Sequence, residues 1–303
     1  MKKILVTGAA GFIGRQALPL LAARGYEVHG IILPGWEPIR EVPVQWHEAN
    51  LFDPGGREQL LASVQPTHLL HLAWCTAPAT YRTSDDNLAW VAASVDLARK
   101  FVEYGGRRAV FAGTCFEYDS SQGCRHELST PCRPDTLYGT CKNALRQIVE
   151  DFFSRKDIPA AWGRIFYLFG PNEYRERLVP AVITALLKKE PARCTAGTQL
   201  RDFLYVADVA DAFAALLESD VRGPVNIGSG APIAVKDLVL RIGELLGSRD
   251  LIRLGERPTP AGEPPLVCAD VGRLRNEVGW QPAHSLDQGL ELTIEWWRRN
   301  LTV

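Results

Sequence analysis

Residues 6–14 of the chain read Val6-Thr7-Gly8-Ala9-Ala10-Gly11-Phe12-Ile13-Gly14, with two residues between successive glycines. The apolar run 4–6 leads into this stretch and predicts a short buried strand, whereas the pattern over 12–24 predicts a helix. Glycines between a strand and a helix allow a tight turn and let a diphosphate approach the backbone, where free N–H groups and the helix dipole bind it. A flexible glycine-rich turn is the alternative interpretation, but the order of strand, turn and helix favours nucleotide binding.

Length, charge and composition exclude several classes of protein. With 303 residues and a net charge of −1, the chain can bury a sizeable core and does not indicate a nucleic-acid or membrane surface as its partner. No apolar run reaches the ~20 residues of a membrane-spanning helix, and the first residues show no signal-peptide pattern. The seven cysteines include no Cys-x-x-Cys pair, which favours reduced thiols and a cytoplasmic location. The six histidines form no His-x-x-x-His or Cys/His cluster, so we predict no metal site.

Apolar strands alternate with helical patterns through the first half of the chain. Further strands are predicted over 26–33, 44–48, 67–73, 109–112 and 160–166, and helices over 56–64, 87–104 and about 135–152. This alternation predicts right-handed βαβ units and a parallel sheet. Asp135 is expected to cap the helix that follows it. Pro19 is expected to kink the first helix, because an interior proline costs ~3 kcal/mol.

The order of elements becomes less regular after Gly170 and Pro171. Strands are predicted over 203–206 and 225–227, and helices over 180–189, 208–217, 235–246, 271–278 and 285–299. Asp208 is expected to cap the helix that it begins, and Ser285 with Gln288 predicts a capping box. The polar segment 119–134 indicates a loop.

Tyr138 and Lys142 form the second informative pattern. They lie four residues apart on a predicted helix, so their side chains point to the same side. A free tyrosine has a pKa of about 10, and a nearby ammonium favours the phenolate, which makes the pair a usable acid/base near neutrality. None of the other seven tyrosines has lysine at this spacing. A chance surface pair is the alternative interpretation.

Thr114 follows Gly113 at the end of the fifth predicted strand. In an open parallel sheet, ligands bind beyond the carboxyl ends of the strands, so Thr114 is expected to face the same crevice as the glycine turn. Its hydroxyl can hydrogen-bond a carbonyl oxygen and stabilise the alkoxide that develops on it. An ordinary turn threonine is the alternative.

Together these motifs resemble the extended short-chain dehydrogenase/reductase family, in its nucleotide-sugar branch. The resemblance covers nearly the whole chain. It rests on Thr7-Gly8-x-x-Gly11-Phe12-Ile13-Gly14, His71-Leu72-Ala73, Gly113-Thr114 with Tyr118, Tyr138-Gly139-x-x-Lys142, Arg201-Asp202-Phe203 with Val206 and Asp208, and Gly279-Trp280-x-Pro282. It implies an α/β fold, a Rossmann-type doubly wound parallel sheet with a smaller C-terminal α/β substrate-binding domain. The dinucleotide-binding domain would span 1–170 and be completed by about 203–230, and a nucleotide-sugar-binding domain would comprise 171–202 and 231–303.

The resemblance also implies roles for individual residues. Tyr138 would donate or accept the proton, Lys142 would tune it and hold the nicotinamide ribose, and Thr114 would polarise the sugar carbonyl. The coenzyme would be contacted by Gly8, Gly11, Phe12, Ile13, Gly14, Arg15, Asn50, Leu51, Leu72, Ala73 and Trp74, together with Tyr138 and Lys142. The substrate would be contacted by Thr114, by Arg201 and Arg257 at the diphosphate, by Leu178 and Glu263 at the base and ribose, and by Asn87, which could approach either ligand. Arginine suits the diphosphate because its fork matches phosphate oxygens.

Departures from the family pattern narrow the reaction. Dehydratases of this branch carry Thr-Asp-Glu where the chain has Thr114-Cys115-Phe116, so the carboxylates that would remove water are missing. Enzymes of the fucose-synthase type carry a cysteine two residues after the Ser, whereas Cys115 is one residue after Thr114, so we expect it to pack. The 4-epimerases usually carry asparagine where the chain has Tyr167, which alters the sugar site. These points favour a 4-keto-sugar reductase over an epimerase.

The end of the second strand bears on the choice of coenzyme. NAD-preferring members place Asp or Glu there to bind the ribose 2′-hydroxyl, whereas this chain has Ile32 followed by Leu33. No carboxylate would repel a 2′-phosphate, and Arg15 and Arg40 are candidates to bind one. We therefore expect NADP(H) in preference to NAD(H).

The predicted function is NADP(H)-dependent reduction of a nucleotide-linked 4-keto sugar, with a nucleotide-diphosphate sugar as the substrate and Tyr138 as proton donor. An NAD-dependent nucleotide-sugar epimerase of the 4-epimerase type is the alternative on the same fold. A non-catalytic dinucleotide sensor or RNA-binding relative is the alternative from another class, and the intact Thr114, Tyr138 and Lys142 argue against it. The family also implies a homodimer through the helices near 87–104 and 135–152.

Overall fold

The computed structural model describes residues 2–39 and 42–301, which fold into strands and helices throughout both ranges. In chain order the strands are β1 Lys3–Thr7, β2 Glu27–Ile32, β3 Gln45–Glu48, β4 His68–His71, β5 Arg108–Thr114, β6 Cys124–Arg125, β7 Ala160–Ile165, β8 Tyr167–Phe169, β9 Ala192–Arg193, β10 Leu200–Arg201, β11 Phe203–Tyr205, β12 Gly223–Ile227, β13 Ile233–Ala234, β14 Ile252–Arg253 and β15 Leu266–Ala269. The helices are α1 Gly14–Ala23, α2 Pro54–Val64, α3 Asp86–Glu103, α4 Leu137–Arg155, α5 Leu178–Leu187, α6 Val206–Glu218, α7 Val235–Leu245, α8 Gly272–Asn276 and α9 Leu286–Asn300. Short 3₁₀ helices lie at Cys115–Glu117 and Arg249–Leu251.

The largest sheet has seven strands in the order β3-β2-β1-β4-β5-β7-β12, and every neighbouring pair is parallel. Leu5 of β1 pairs with His29 on one side and with Leu69 on the other. The strand order therefore reverses at β1, which creates a crevice beyond the carboxyl ends of the neighbouring strands. The predicted Rossmann-type doubly wound parallel sheet is confirmed.

Alternating side chains of β1 build two apolar cores, one on each face of the sheet. Val6 packs in the core that contains Leu18 of α1 and Phe213 of α6. Leu5 points to the opposite face and packs in the core that contains Leu97 of α3, because successive side chains of a strand alternate. Burying an aliphatic side chain contributes roughly 1.5–3 kcal/mol, so both helical layers stabilise the sheet whose strand ends form the crevice.

Two of the predicted helix caps are wrong. Thr136 rather than Asp135 caps α4, since its Oγ1 accepts a hydrogen bond of 3.1 Å from the Gly139 N–H. Asp208 lies in the first turn of α6, and its carboxylate accepts a 3.1 Å hydrogen bond from the Ala283 N–H instead of capping its own helix. The first correction shifts the cap by one residue within the same turn, whereas the second has a long-range cause, because the donor that Asp208 binds lies 75 residues away.

Other local predictions agree with the observed elements. Ser285 and Gln288 form the predicted capping box at the start of α9. The helix predicted from residue 12 begins at Gly14, and Pro19 lies inside it. The predicted strands and helices of the first half are present, with bounds that differ by a few residues.

A smaller sheet joins distant parts of the chain in the order β13-β10-β15-β6. The segment 119–134, predicted as a loop, contributes β6, in which Cys124 pairs with Cys268 of β15. On the other side of β15, Val267 pairs with Arg201 of β10. The chain after Thr114 and the strand that carries Arg201 are thereby held in one sheet, beside a third core between α5, α7 and α9. Within the ranges that the structure describes, no helix has both the length and the apolar character needed to span a membrane.

Candidate active site

A cavity of about 900 Å³ opens at the carboxyl ends of β1, β4 and β5. Many residues predicted to bind ligands line it, namely Gly8, Gly11, Phe12, Ile13, Gly14, Leu72, Ala73, Trp74, Thr114, Tyr138, Lys142, Leu178, Arg201, Arg257 and Glu263. The fold therefore brings the glycine turn, the Tyr138–Lys142 pair and the arginines of the second half into one cleft.

The glycine turn requires glycine at two of its three positions for steric reasons. Gly8 has a φ of +66°, and a Cβ on it would lie 2.9 Å from the Ala73 nitrogen. A Cβ on Gly14 would lie 2.1 Å from the Gly8 carbonyl oxygen. Any larger residue would push the turn away from the N-terminus of α1, where unpaired N–H groups attract an anion.

A buried histidine fixes the wall of the cleft that follows β4. His71 Nδ1 lies 2.8 Å from Thr7 Oγ1, and its Nε2 lies 2.9 Å from Ser94 Oγ. Thr7 Oγ1 also accepts a 3.1 Å hydrogen bond from the Ala73 N–H. Burial lowers the pKa of His71 to about 3, so the ring is neutral and serves to hold β1 and β4 in register beside the glycine turn.

Thr114 and Tyr138 meet at the centre of the cleft. Thr114 ends β5, and its side chain is hydrogen-bonded to the phenol of Tyr138. Tyr138 lies in the first turn of α4, and its backbone N–H donates a 3.1 Å hydrogen bond to the carbonyl oxygen of Arg82. Its ring packs edge-on against Tyr81 with 5.1 Å between centroids. The phenol is therefore held by hydrogen bonds and ring packing in one orientation.

Burial raises the pKa of Tyr138, and the hydrogen bond from Thr114 opposes this only in part. Burial is the largest influence on this pKa, so the lowering expected from the Lys142 ammonium does not prevail. The phenol is consequently protonated at neutral pH, which is the form that can donate a proton.

Lys142 is enclosed by aromatic rings and bound to the end of β5. Its Nζ donates a 2.9 Å hydrogen bond to the Ala112 carbonyl oxygen and lies 3.8 Å from the ring centroid of Trp74. Burial lowers the pKa of Lys142 to about 7, and the charge of Glu117 partly opposes this shift. The ammonium is thus a weak acid near neutrality, because it has exchanged water for a carbonyl and an indole face.

Arg201 and Glu263 form an ion pair on the opposite side of the cleft. Arg201 also donates a 2.8 Å hydrogen bond to the Leu200 carbonyl oxygen, and its guanidinium lies 5.6 Å from the ring centroid of Tyr167. Leu178 at the start of α5 and Arg257 line the cleft nearby. Two arginines and a carboxylate therefore face the space where a charged substrate would enter.

Four of the predicted ligand contacts do not line the cleft in the described ranges, namely Arg15, Asn50, Leu51 and Asn87. The amide of Asn87 is buried, accepts a 2.8 Å hydrogen bond from the Trp74 indole and donates to the carbonyl oxygens of Tyr81 and Ser84. Asn87 therefore supports the cleft wall from behind, through the indole of Trp74.

The guanidinium of Arg15 is directed to protein oxygens. It donates to Asn172 Oδ1 and to the Ala10 carbonyl oxygen. Asn50 accepts a 2.9 Å hydrogen bond from the Phe52 N–H, and Leu51 is buried. Arg40 lies outside the described residues.

Sequence reasoning missed several charged groups of the cleft, among them Arg82, Glu173 and Arg177. Arg82 lies over the ring of Phe116, with 4.5 Å from its Cζ to the centroid. Glu173 follows the Gly170–Asn172 turn, and burial raises the pKa of its carboxyl to about 8, against the effect of Arg177. The break in the element pattern at Gly170 and Pro171 is the sequence signal that precedes Glu173 and Arg177.

One cluster of possible metal ligands lies away from the cleft. Single ligand atoms of His126, Glu127 and Asp270 fall within 4.8 Å of one another. Glu127 accepts a 2.9 Å hydrogen bond from the Asn226 N–H, and Asp270 accepts one of 2.8 Å from the Gly272 N–H. Both carboxylates therefore bind backbone groups, and we assign no metal to the cluster.

The chain matches a known family over most of its length. Residues 4–228 match the model of the NAD dependent epimerase/dehydratase family. Mouse dTDP-D-glucose 4,6-dehydratase is 24% identical over 323 residues, which cover 99% of this chain and 89% of the mouse protein.

Solved structures show the same relationship. UDP-glucose 4-epimerase of Thermus thermophilus, in complex with NAD, is 25% identical with a TM-score of 0.86, over 98% of this chain and 99% of that one. MoeE5 in complex with UDP-glucuronic acid and NAD is 28% identical with a TM-score of 0.85, over 98% and 99% of the two chains. Both solved structures hold NAD, and one of them also holds a nucleotide sugar.

Proposed function

Because this chain belongs to the NAD dependent epimerase/dehydratase family, the extended short-chain dehydrogenases/reductases of nucleotide sugars, we propose that it reduces a nucleotide-linked 4-keto sugar with NADP(H). The family makes it an oxidoreductase-type enzyme with a nicotinamide dinucleotide as coenzyme. The direction of the reaction, the sugar and the preference for the phosphorylated coenzyme are our inference.

One observation carries the proposal of reduction. A protonated phenol and a threonine hydroxyl meet in the cleft, but the two positions after Thr114 offer no carboxylate. Burial raises the pKa of the Cys115 thiol to about 11, and Phe116 is aromatic. The corner can therefore orient a carbonyl oxygen and protonate it, whereas the acid–base pair for removing water is missing.

The described residues fit a nicotinamide dinucleotide. The glycine turn leaves the backbone bare at Gly8 and Gly14, and α1 presents its N-terminus to the cleft, which suits the diphosphate. When bound, the reduced coenzyme supplies the hydride for the keto carbon. Thr114 would hold the carbonyl oxygen, Tyr138 would give it a proton, and Lys142 beside β5 would restore that proton to the phenol.

The preference for NADP(H) rests on the end of β2. The strand ends at Ile32, and Leu33 beyond it is exposed, so no carboxylate is placed there to repel a 2′-phosphate or to bind a 2′-hydroxyl. Arg15 already donates to Asn172 and Ala10 and adds less support than its sequence position suggests.

We further propose that residues 171–202 and 231–303 form the substrate-binding domain and that two copies associate through α3 and α4. Leu88 on α3 and Ile148 on α4 are exposed apolar side chains, 58% and 44% accessible, on helices that pack against each other. All seven cysteines are free thiols, which supports the expectation of a reducing compartment such as the cytoplasm.

An epimerase is the second candidate, and the likeness to the Thermus thermophilus 4-epimerase favours it. The two functions differ in their use of coenzyme. A reductase consumes NADPH or NADH in proportion to the keto sugar, whereas a 4-epimerase retains tightly bound NAD and needs no added reductant.

The test is incubation of the protein with NADPH or NADH and a panel of 4-keto nucleotide sugars, followed by nicotinamide absorbance. We expect oxidation of the coenzyme with at least one sugar, faster with NADPH. No oxidation with any sugar, together with NAD released on denaturing the isolated protein, would overturn the reductase in favour of the epimerase.

A further inference from the structure

Glu117 is a wholly buried carboxylate directly behind the catalytic residues. It has no accessible surface and closes the short 3₁₀ helix that follows Thr114. Unlike Cys115 and Phe116, it does not line the cleft among the described residues. A carboxylate at this depth costs free energy unless it is fully paired, so its partners show what it does.

Both oxygens of Glu117 are bonded to the frame of the catalytic corner. Its Oε1 accepts hydrogen bonds of 2.8 Å from the Thr114 N–H and 2.8 Å from the Trp162 indole N–H. Its Oε2 accepts a 2.8 Å hydrogen bond from Arg164 Nε. The Thr114 hydroxyl in turn accepts from the Phe116 N–H, so carboxylate and hydroxyl fix the two ends of one turn.

These contacts explain the glycine that precedes the catalytic threonine. A Cβ on Gly113 would lie 2.0 Å from the Trp162 Nε1 and 2.7 Å from the Glu117 Oε1. The position must be glycine because the hydrogen bond between the indole and the carboxylate crosses it. The sequence pattern Gly113-Thr114 thus depends on Glu117 as well as on the cleft.

Glu117 also sets the charge behind Lys142. Arg164 is buried with it as an ion pair, and Arg146 Nε lies 3.9 Å from its Oε2. Lys142 Nζ lies 6.0 Å from the ring centroid of Trp162, whose N–H Glu117 accepts. Burial lowers the pKa of Lys142, and the charge of Glu117 opposes that lowering in part.

We propose that Glu117 is a positioning residue, which fixes the backbone of Thr114 and, as partner of Arg164, places a negative charge behind Lys142. It touches neither substrate nor coenzyme and acts through these two residues. The activity part of this inference rests on the proposed function, whereas the effect on Lys142 does not.

The test compares two variants that separate length from charge. Glu117→Gln keeps the length and removes the charge, and Glu117→Asp keeps the charge and withdraws it from the Thr114 N–H. Glu150→Gln is the control, because Glu150 pairs with Arg146 at the edge of the same network and is not a partner of Thr114 or Lys142.

The first readout is an NMR titration of the Lys142 ε-methylene in protein labelled at lysine, assigned with Lys142→Arg. We expect the Lys142 titration midpoint to fall by about one pH unit in Glu117→Gln, and to stay within 0.3 unit, on the order of the measurement error, in Glu117→Asp and Glu150→Gln. This readout needs no substrate, so it stands even if the reductase proposal fails.

The second readout is turnover with the 4-keto nucleotide sugar that the coenzyme-oxidation assay identifies. We expect kcat to fall at least about tenfold in both Glu117 variants with KM for the coenzyme nearly unchanged, because each variant weakens the charged hydrogen bond that holds the Thr114 backbone. The alkaline limb of the kcat profile should move to lower pH only in Glu117→Gln. If Glu117→Gln does not fold by circular dichroism, Glu117→Asp decides the matter. Wild-type kcat in the folded Glu117 variants with an unmoved Lys142 titration would overturn the proposal.

Discussion

The two sides of the cleft differ in how their polar groups are paired. On the catalytic side, the Thr114 side chain is hydrogen-bonded to the Tyr138 phenol, and Lys142 Nζ donates to a backbone carbonyl of β5. The Thr114 N–H donates to the buried Glu117 carboxylate. On the recognition side, Arg201 is paired with Glu263, a residue of the same side. The catalytic side is thus organised by the fold itself, whereas the charges of the recognition side compensate each other.

This difference matches the demands of the two tasks. A transition state is best stabilised by groups that are already oriented, since they cost no reorganisation at the moment of reaction. Under the proposed role of Arg201, a diphosphate would compete with the carboxylate of Glu263 for the guanidinium. Variants on the catalytic side should therefore change kcat, and variants on the recognition side should mainly change KM.

The largest effect is expected from Tyr138→Phe. Removing the phenol removes the proton donor, which contributes typically ~10²–10⁴-fold to a rate, while the ring contacts with Tyr81 and Trp74 remain. Steady-state kinetics should show kcat reduced by that factor with the unfolding temperature nearly unchanged. Tyr104→Phe, far from the cleft at the end of α3, is the matched control, and equal kcat in the two variants would contradict the role of Tyr138.

A smaller effect is expected from Arg201→Lys. Lysine keeps the charge but loses the fork that can bind two phosphate oxygens at once, so KM for the nucleotide sugar should rise about 10–100-fold, equivalent to roughly 1.5–3 kcal/mol. The measurement is KM at saturating coenzyme, and kcat should change less than KM. A fall in kcat with constant KM would place Arg201 on the catalytic side instead.

The smallest effect is a pH-dependent stability at Glu173. Burial raises the pKa of this carboxyl to about 8, and its Oε2 has no hydrogen-bond partner in the described ranges. A raised acid pKa means that the folded state holds a proton that the unfolded chain releases, so this contribution to stability is complete below about pH 4 and is lost as pH rises towards 8. Glu173→Gln should therefore unfold at a higher temperature than the wild type at pH 8.5, by about 1.5–2 °C for each kcal/mol recovered.

Thermal unfolding of both proteins at pH 5 and pH 8.5 measures this effect. The difference between the variant and the wild type should be larger at the higher pH. Glu176→Gln is the control, since Glu176 lines the same cleft but is exposed. A difference that does not change with pH would show that Glu173 is ionised throughout.

The parts of the molecule that could be predicted from the sequence depend on local patterns. Helical segments separate most of the strands β1 to β5, and the apolar residues of these strands face the helical layers of an α/β sheet. The fold could therefore be predicted from the periodicity of the apolar residues and the order of the elements. Gly8, Gly11 and Gly14 were predictable because a tight turn between strand and helix leaves few alternatives. Tyr138 and Lys142 were predictable because helical spacing alone puts them on one side.

The parts that could not be predicted depend on partners far away in the chain. Glu117 is an ordinary acidic residue until Trp162 and Arg164, 45 and 47 residues later, are placed against it. Asn87 was expected near a ligand, yet the indole of Trp74 takes its amide oxygen. Asp208 is of a residue type that often caps helices, but its carboxylate accepts a hydrogen bond from the Ala283 N–H, 75 residues away. In each case the sequence showed the chemistry of the side chain but not the residue with which it forms a hydrogen bond.

The central claim is that hydride goes to the sugar carbonyl while Tyr138 supplies the proton. The most direct measurement uses NADPH that carries deuterium at the transferable position, with the 4-keto nucleotide sugar and the wild-type enzyme, and follows the product by NMR. We expect one deuterium at carbon 4 of the product for each coenzyme oxidised, and formation of the same product at least ~10²-fold more slowly by Tyr138→Phe. A product without deuterium, formed while the added coenzyme stays reduced, would contradict it.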